Sequence, residues 1–358
     1  MSKVHNFSAG PCILPQEVLA KASESVRELD GIGLSLIEIS HRSKEFVAIM
    51  EKARDLVREL FQLPDHYTVL FLQGGASLGF YMSAINFMKA QGGKGAYVDT
   101  GSWSNKAMKE AALLGDVIEV ASSKPDNYNH IPKGYKVPED VDYLHLTSNN
   151  TIFGTQFKSF PECSVPLLCD MSSDIFSKPV DATKFDLIYA GAQKNMGPAG
   201  TTLYIVNKDA LGKTGRKIPS MLDLAVHDAK DSMYNTPPVF SVYTSMLTLE
   251  WMKSLGGLEA MQARNEAKAK LMYEEIDRNP LFEGTTAVED RSTMNATFVL
   301  KDEGAHKERF DALWNEARIS GIKGHRSVGG YRASMYNALP IESVQALVDA
   351  MQELERTA

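Results

Sequence analysis

The sequence predicts an α/β protein, with a large domain built on a mostly parallel sheet flanked by helices and a smaller C-terminal α/β domain. Three observations carry this expectation. Short apolar runs of strand length recur between residues 68 and 206, each bounded by turn formers. Helical patterns alternate with these runs, the arrangement that buries a parallel sheet on both faces. The chain of 358 residues also exceeds the roughly 100–200 residues of one domain.

In chain order, residues 44–62 repeat apolar positions at helical spacing, and Ser43 stands where an N-cap is needed. The run Thr68–Leu72 reads as a strand that stops at Gln73-Gly74-Gly75, and a helical pattern follows from Ser77 to Lys89. Further strands are expected at Gly95–Val98, Val117–Val120, Tyr143–Thr147, Val165–Cys169, Leu187–Ala190 and Thr202–Val206. A helical stretch from Ser241 to Ile276 is too long for one ordinary helix, and Gly256-Gly257 should break it. Beyond Pro280 come a strand at Ala296–Leu300, a helix at His306–Ser320, a Gly-rich strand pair and a last helix from Pro340. These patterns divide the chain into an N-terminal segment (1–15), a large domain (16–255) and a small domain (256–358).

Hydrophobic residues make up 44% and charged residues 23%, which excludes a disordered or fibrous chain. The net charge of −7 argues against a broad basic surface for nucleic acid. Cys12, Cys163 and Cys169 are odd in number and form no C-x-x-C pair, so a reducing compartment is expected rather than a disulfide scaffold. The eight histidines show no ligand spacing, and no metal is expected. The N-terminus lacks an apolar leader, and no run approaches the ~20 apolar residues of a membrane helix. A soluble, cytoplasmic protein without membrane or nucleic-acid partners is therefore expected.

Few standard motifs survive inspection. Gly212-Lys213-Thr214 resembles the end of a P-loop, but Asn207 stands where its first glycine belongs. Gly75-Ala76-Ser77-Leu78-Gly79 fits G-x-S-x-G between a strand and a helix. Three readings stay open there: a plain tight turn, a phosphate cradle made of helix-opening N–H groups, and a hydrolase nucleophile at Ser77.

A second constellation lies at strand ends. The run Val165–Cys169 leads straight into Asp170, at the edge where open α/β sheets bind ligands. The run ending at Gly191 leads into Ala192-Gln193-Lys194-Asn195, and another strand follows. A lysine wedged between buried strands has a lowered pKa and suits Schiff-base chemistry, although a solvated loop lysine is the commoner case. Pyridoxal phosphate needs such a lysine together with a carboxylate for its pyridine nitrogen. Trp103 follows a strand end and offers a flat surface for a ring, or simply a core position. His41-Arg42, His325-Arg326 and Arg332 place cations among glycines and turn formers, as surface ion pairs or as an anion site.

With these motifs taken together and in order, the chain resembles the phosphoserine aminotransferase family of fold-type I pyridoxal-phosphate enzymes. The resemblance runs through Asn6-Phe7-Ser8-Ala9-Gly10-Pro11, Ser40-His41-Arg42-Ser43, Ala190 to Pro198, Tyr234-Asn235-Thr236-Pro237-Pro238 and Gly324 to Arg332. It implies that Lys194 carries the cofactor and that Asp170 pairs with the pyridine nitrogen. It implies Trp103 stacked on the ring and Thr151 bonded to the phenolic oxygen. Ala76, Ser77 and Gln193, with Asn235 and Thr236 of the neighbouring subunit, would surround the phosphate. Arg332 would clamp the substrate α-carboxylate. His41, Arg42, His325 and Arg326 would receive the distal phosphate or carboxylate.

Some members carry Arg at position 77 and Ser at position 9, where this chain has Ser77 and Ala9. A side-chain charge contact at 77 is therefore not expected, and the backbone amides there remain. The implied activity is amino transfer between glutamate and 3-phosphohydroxypyruvate in serine biosynthesis. A second phosphorylated oxo acid, 3-hydroxy-2-oxo-4-phosphooxybutanoate of pyridoxine biosynthesis, is implied as well, with a homodimer sharing its active sites. The competing readings are a serine hydrolase built on Ser77 and a noncatalytic pyridoxal-phosphate-binding protein.

Overall fold

The computed structural model describes residues 4–358. Its elements in order are β1 (His5–Asn6), α1 (Gln16–Arg27), α2 (Lys44–Phe61), β2 (Tyr67–Leu72), α3 (Gly75–Phe87), β3 (Lys94–Asp99) and α4 (Ser102–Ala111). Next come β4 (Asp116–Ser122), β5 (Tyr143–Thr147), β6 (Leu167–Asp170), β7 (Leu187–Gly191), β8 (Thr202–Asn207), α5 (Leu224–Asp228), α6 (Val239–Ser254) and α7 (Gly257–Arg278). The chain ends with β9 (Phe282–Gly284), β10 (Asn295–Leu300), α8 (Glu303–Glu316), β11 (Ile319–Ser320), β12 (Tyr331–Ser334) and α9 (Ile341–Thr357).

Seven strands form the main sheet in the order β2-β8-β7-β6-β5-β3-β4, and only β8 runs against its neighbours. Alternation along each strand splits the core between two faces. Val69, Phe71, Ala96, Val98, Leu144 and Leu146 pack with α2 and α6 on one side. Leu70, Leu72, Tyr97, Tyr143, Tyr189 and Tyr204 pack with α3 and α4 on the other. Burial on both faces explains why these strands read as continuous apolar runs.

The helices form for local reasons that the sequence carries. In α2, Ser43 Oγ accepts from Phe46 N at 3.4 Å, and Phe46, Ile49, Met50, Ala53 and Val57 give one buried face. The long helical stretch divides as expected, with α6 ending at Ser254 and α7 opening at Gly257. We propose the domain limits 1–15, 16–255 and 256–358 given above, and this break supports the division at 256. The first half of α7 packs into the large core through Leu258 and Met261, and the second half into the small core through Met272 and Ile276.

The smaller unit holds an antiparallel sheet, β12-β10-β9, covered by α8 and α9. The N-terminal segment joins it: β1 pairs with β11, and Phe7 and Ile13 enter its core.

Two expectations are corrected. No α-helix separates β4, β5, β6 and β7, whose connections hold only 3₁₀ turns at Lys124–Asp126 and Ala182–Lys184. The Gly-rich strand pair is one strand, β12, preceded by a loop with a single bridge between Lys323 and Tyr331. Gly329 and Gly330 have φ of +77° and +59°, which a strand cannot accommodate.

Candidate active site

β2, β3, β5, β6 and β7 are mutually parallel in direction, so their carboxyl ends share one edge of the sheet. The predicted residues emerge there: the Gly74-Gly75 turn after β2, Trp103 after β3, Thr151 after β5, Asp170 at the end of β6 and Lys194 after β7.

Lys194 sits in the turn between β7 and β8 and is half-buried. Its Nζ donates to Thr151 Oγ1 at 2.8 Å and stands 5.9 Å from the centre of the Trp103 ring. Burial pushes its amine down to about 8; Asp170 opposes that shift and the Arg332 charge adds to it. Asp170 is 4% exposed. Its Oδ1 accepts from Ser172 N at 2.9 Å and Ser172 Oγ at 2.6 Å, while Oδ2 has no partner among the described residues. Burial raises the Asp170 carboxyl, and Ser172 and the Lys194 charge pull it back.

Trp103 is positioned by the start of α4. Asp99 at the end of β3 accepts from Ser104 Oγ at 2.7 Å, and Ser104 Oγ in turn accepts from Thr100 N and Gly101 N, each at 3.0 Å. Gly101 has φ +147°, and a Cβ there would lie 1.9 Å from Asn150 Nδ2, so only glycine lets the turn close against the β5 loop. The indole Nε1 is buried without a partner.

At the far end, α3 opens after Gly74 with no side-chain cap. The first N–H groups of a helix have no intrahelical partner, so Gly75, Ala76 and Ser77 present free donors. Ser77 is exposed and no histidine among the described residues bonds it, which removes the base that a serine nucleophile requires. Gln193 folds toward Gly191, where an added Cβ would meet Gln193 Oε1 at 2.5 Å. Thr236 lies beside this loop in the same chain, its carbonyl accepting from Gln73 Nε2 at 3.0 Å; Asn235 and Thr236 are both exposed.

Arg332, on β12, is 9% exposed. Its Nη1 donates to Thr151 O at 3.1 Å, its Nε has no partner, and no carboxylate pairs with it among the described residues. His325 is held below its ordinary value by burial and by the charges of Arg332, Arg326 and Lys106, so these four cationic positions share one region. The structure does not bring His41 and Arg42 to this cluster within the chain; Arg42 is exposed, and His41 Nε2 is buried and unpartnered.

Three contributors escaped the sequence. Ser172 holds Asp170, and its signal was available as a Ser two residues past an Asp at a strand end. Cys12 Sγ donates to Lys194 O at 2.6 Å, a contact 182 residues apart that no local pattern encodes. Lys106 Nζ stands 4.5 Å from the Trp103 ring centre; its spacing of three on α4 was legible once Trp103 was chosen.

A half-buried lysine and a buried carboxylate at the carboxyl edge of this sheet, beside an uncapped helix N-terminus and a buried arginine with no ion pair among the described residues, define a fold-type I transaminase. The aminotransferase class-V family matches residues 4–347. Phosphoserine aminotransferase of Flavobacterium psychrophilum is 63% identical over 354 residues, 99% of each chain. A solved phosphoserine aminotransferase, studied for radiation damage of its Schiff base, superposes with a TM-score of 0.97 at 46% identity over all of both chains. The pyridoxal-phosphate-bound phosphoserine aminotransferase of Trichomonas vaginalis gives 0.92 at 38% identity, covering 98% of this chain and all of that one. The chain belongs to the phosphoserine aminotransferase family of class-V aminotransferases.

Among the described residues, no group of three or more His, Cys, Asp or Glu could hold a metal ion, and no helix is long and apolar enough to cross a membrane.

Proposed function

We propose that this transaminase uses pyridoxal phosphate to move the amino group of glutamate onto 3-phosphohydroxypyruvate, giving phosphoserine and 2-oxoglutarate. One observation carries the substrate side: Arg332 is a buried guanidinium with an unpartnered Nε and no counter-ion among the described residues, next to Lys194. Leaving such a charge uncompensated is costly, so the pocket is built for an anion. The residues present fit the cofactor as well. Among the described residues, one Asp170 carboxylate oxygen has no partner and the α3 N-terminus has no side-chain cap, which leaves both for the cofactor.

When bound, pyridoxal phosphate supplies a carbonyl that condenses with amines and a ring that accepts electrons from the substrate α-carbon. The chain's own residues do the rest. With its amine pushed down to about 8, Lys194 is partly unprotonated at neutral pH; its Nζ would hold the cofactor and would take and return the substrate α-proton. Thr151 Oγ1 holds that amine in place and accepts from it. Asp170, oriented by Ser172, would hold the pyridine nitrogen through its free carboxylate oxygen and favour a proton there. Trp103 would give the ring a flat neighbour, Ala76 and Ser77 would give amides to the phosphate, and Gln193 would close that side. Arg332 orients the α-carboxylate so that the α-hydrogen faces Nζ.

His325 and Arg326 extend the cationic region outward to the distal phosphate or carboxylate. His41 and Arg42 complete it when a second copy docks, as do Asn235 and Thr236 at the phosphate. Support for that shared homodimer is the loop just before His41, where Ile32, Leu34 and Ile37 are exposed by 38%, 51% and 60%. The same site would take 3-hydroxy-2-oxo-4-phosphooxybutanoate, which also joins a 2-oxo acid to a phosphate. We place the protein in the cytoplasm, serving serine and pyridoxine synthesis; three unpaired cysteines fit that compartment.

The test is spectral. Phosphoserine and glutamate, added separately to the yellow enzyme, should each bleach the visible band, and 2-oxoglutarate should restore it. A band that responds to glutamate but not to phosphoserine contradicts the substrate assignment. Coexpressing Lys194→Ala with an Asn235→Ala/Thr236→Ala variant tests the shared site: hybrids should regain activity that neither parent has.

A further inference from the structure

Residues 9–12 of the N-terminal segment lie along Lys194. A Cβ built on Gly10 would stand 3.4 Å from Lys194 Cγ and 3.6 Å from Cε, so the glycine backbone rests on the lysine stem. Gly10 has φ +142°, a conformation that L side chains rarely adopt, and this close approach is made in it. Further along, Cys12 N donates to Gln193 O at 3.1 Å and Cys12 Sγ to Lys194 O at 2.6 Å. Burial pushes the Cys12 thiol up to about 12, which keeps the proton that the second contact needs. Gly10 and Pro11 are exposed while Lys194 is half-buried, so this run separates one side of the lysine from solvent.

The run contains no helix or strand, so it needs an anchor from outside. Tyr336 supplies one. Its hydroxyl donates to Ala9 O at 2.8 Å, and the residue is 1% exposed. The same hydroxyl accepts from Asn295 Nδ2 on β10 at 3.4 Å. Its backbone is fixed from α7, where Lys268 Nζ donates to Met335 O at 2.9 Å and Tyr336 O at 2.7 Å. Lys268 is itself buried and pairs with no carboxylate among the described residues, so its charge is held by these two carbonyls. The stretch that follows β12 therefore carries the anchor, just beyond the strand that carries Arg332.

We propose that Tyr336 is a positioning residue for the reacting lysine: by holding Ala9 it keeps residues 9–12 closed over the Lys194 stem and keeps water from that side of the amine. This role rests on Lys194 being the amine that carries the cofactor. Burial is the largest influence on that amine, ahead of the charges of Asp170, Arg332, Cys12 and Asp174 that face it. Admitting water is accordingly what should change it most.

Two measurements test this together: hydrogen exchange of the cofactor-loaded enzyme, and the pH profile of Lys194 modification in cofactor-free protein. Tyr336→Phe keeps the ring and removes the donor. The Cys12 amide should then exchange about tenfold faster, while the Phe7 amide, bonded to Ser320 O at 2.8 Å, should be unchanged. The modification midpoint should rise from about 8 toward the ordinary 10.5, by about one unit. Cys12→Ala should move the midpoint the same way by about half as much, and Cys12→Ser, which keeps a donor for Lys194 O, should leave it in place. That pair decides the matter if Tyr336→Phe folds poorly. Exchange that speeds equally at Phe7 and Cys12, or stability that falls while the midpoint stays, would mean that Tyr336 only braces the core and would overturn the proposal. A pyridoxyl label on another lysine would instead overturn the cofactor assignment, a separate failure that neither readout here produces.

Discussion

Lys194 Nζ donates to Thr151 Oγ1 at 2.8 Å, and the carbonyl of the same threonine accepts from Arg332 Nη1 at 3.1 Å. One residue of the β5 loop thus sets the distance between the amine proposed to do the chemistry and the guanidinium proposed to hold the substrate. Thr151→Val keeps the shape and removes the acceptor from the protonated amine. Its pKa should fall below about 8, by about one unit for a hydrogen bond to a charged group. The pH profile of Lys194 modification in cofactor-free protein reads this directly; an unmoved midpoint would mean that the contact carries no weight.

Asp170→Asn should retain the cofactor but slow removal of the substrate α-proton by at least about a hundredfold. A neutral amide accepting from Ser172 preserves the geometry but cannot hold a positive pyridine nitrogen. Single-turnover rates with phosphoserine check this, and near-normal rates count against the role.

Arg332→Ala should damage the phosphoserine and glutamate half-reactions alike, because both substrates present an α-carboxylate. Arg42→Ala and Arg326→Ala should hurt phosphoserine more, by about tenfold, because a phosphate carries nearly twice the charge of the glutamate side chain. Substrate phosphate should also raise the pKa of His325, which burial and three neighbouring cations now depress, so phosphoserine binding should tighten as pH falls toward its titration. Stopped-flow spectra of each half-reaction across pH measure both effects.

Most of the sheet was legible, because strands buried on both faces leave unbroken apolar runs. So were Asp170 and Lys194, which directly follow such runs. Connections without helices were not legible, since residues 123–142 and 148–166 hold no α-helix or strand whose periodicity could mark them. The contacts of Cys12 with Lys194 and of Arg332 with Thr151 join segments 182 and 181 residues apart, and only the fold creates them. His41-Arg42, His325-Arg326 and Arg332 read either as surface ion pairs or as an anion site; what favours the second is the burial of Arg332 with no carboxylate partner among the described residues.

Stability should depend on pH through His145, which is buried between Tyr97 and Tyr189 and bonds Tyr189 OH at 2.8 Å. Burial drives it down to about 3 from an ordinary 6.5. The unfolded chain takes up this proton below pH 6.5 while the folded one does not, so stability falls from about 6.5 toward 3 and is unaffected above. His145→Asn should be less stable at pH 7, yet lose about 2 kcal/mol less than the wild type between pH 7 and 4.5. Urea titrations at both pH values test this; equal losses would place the acid sensitivity elsewhere.

Everything proposed for this site depends on Lys194 carrying the cofactor. Borohydride reduction of the yellow enzyme followed by peptide mapping tests it most directly. The pyridoxyl label should appear on Lys194 alone, and Lys194→Ala should keep its fold with no label and no turnover. A label on any other lysine, or turnover without Lys194, would contradict it.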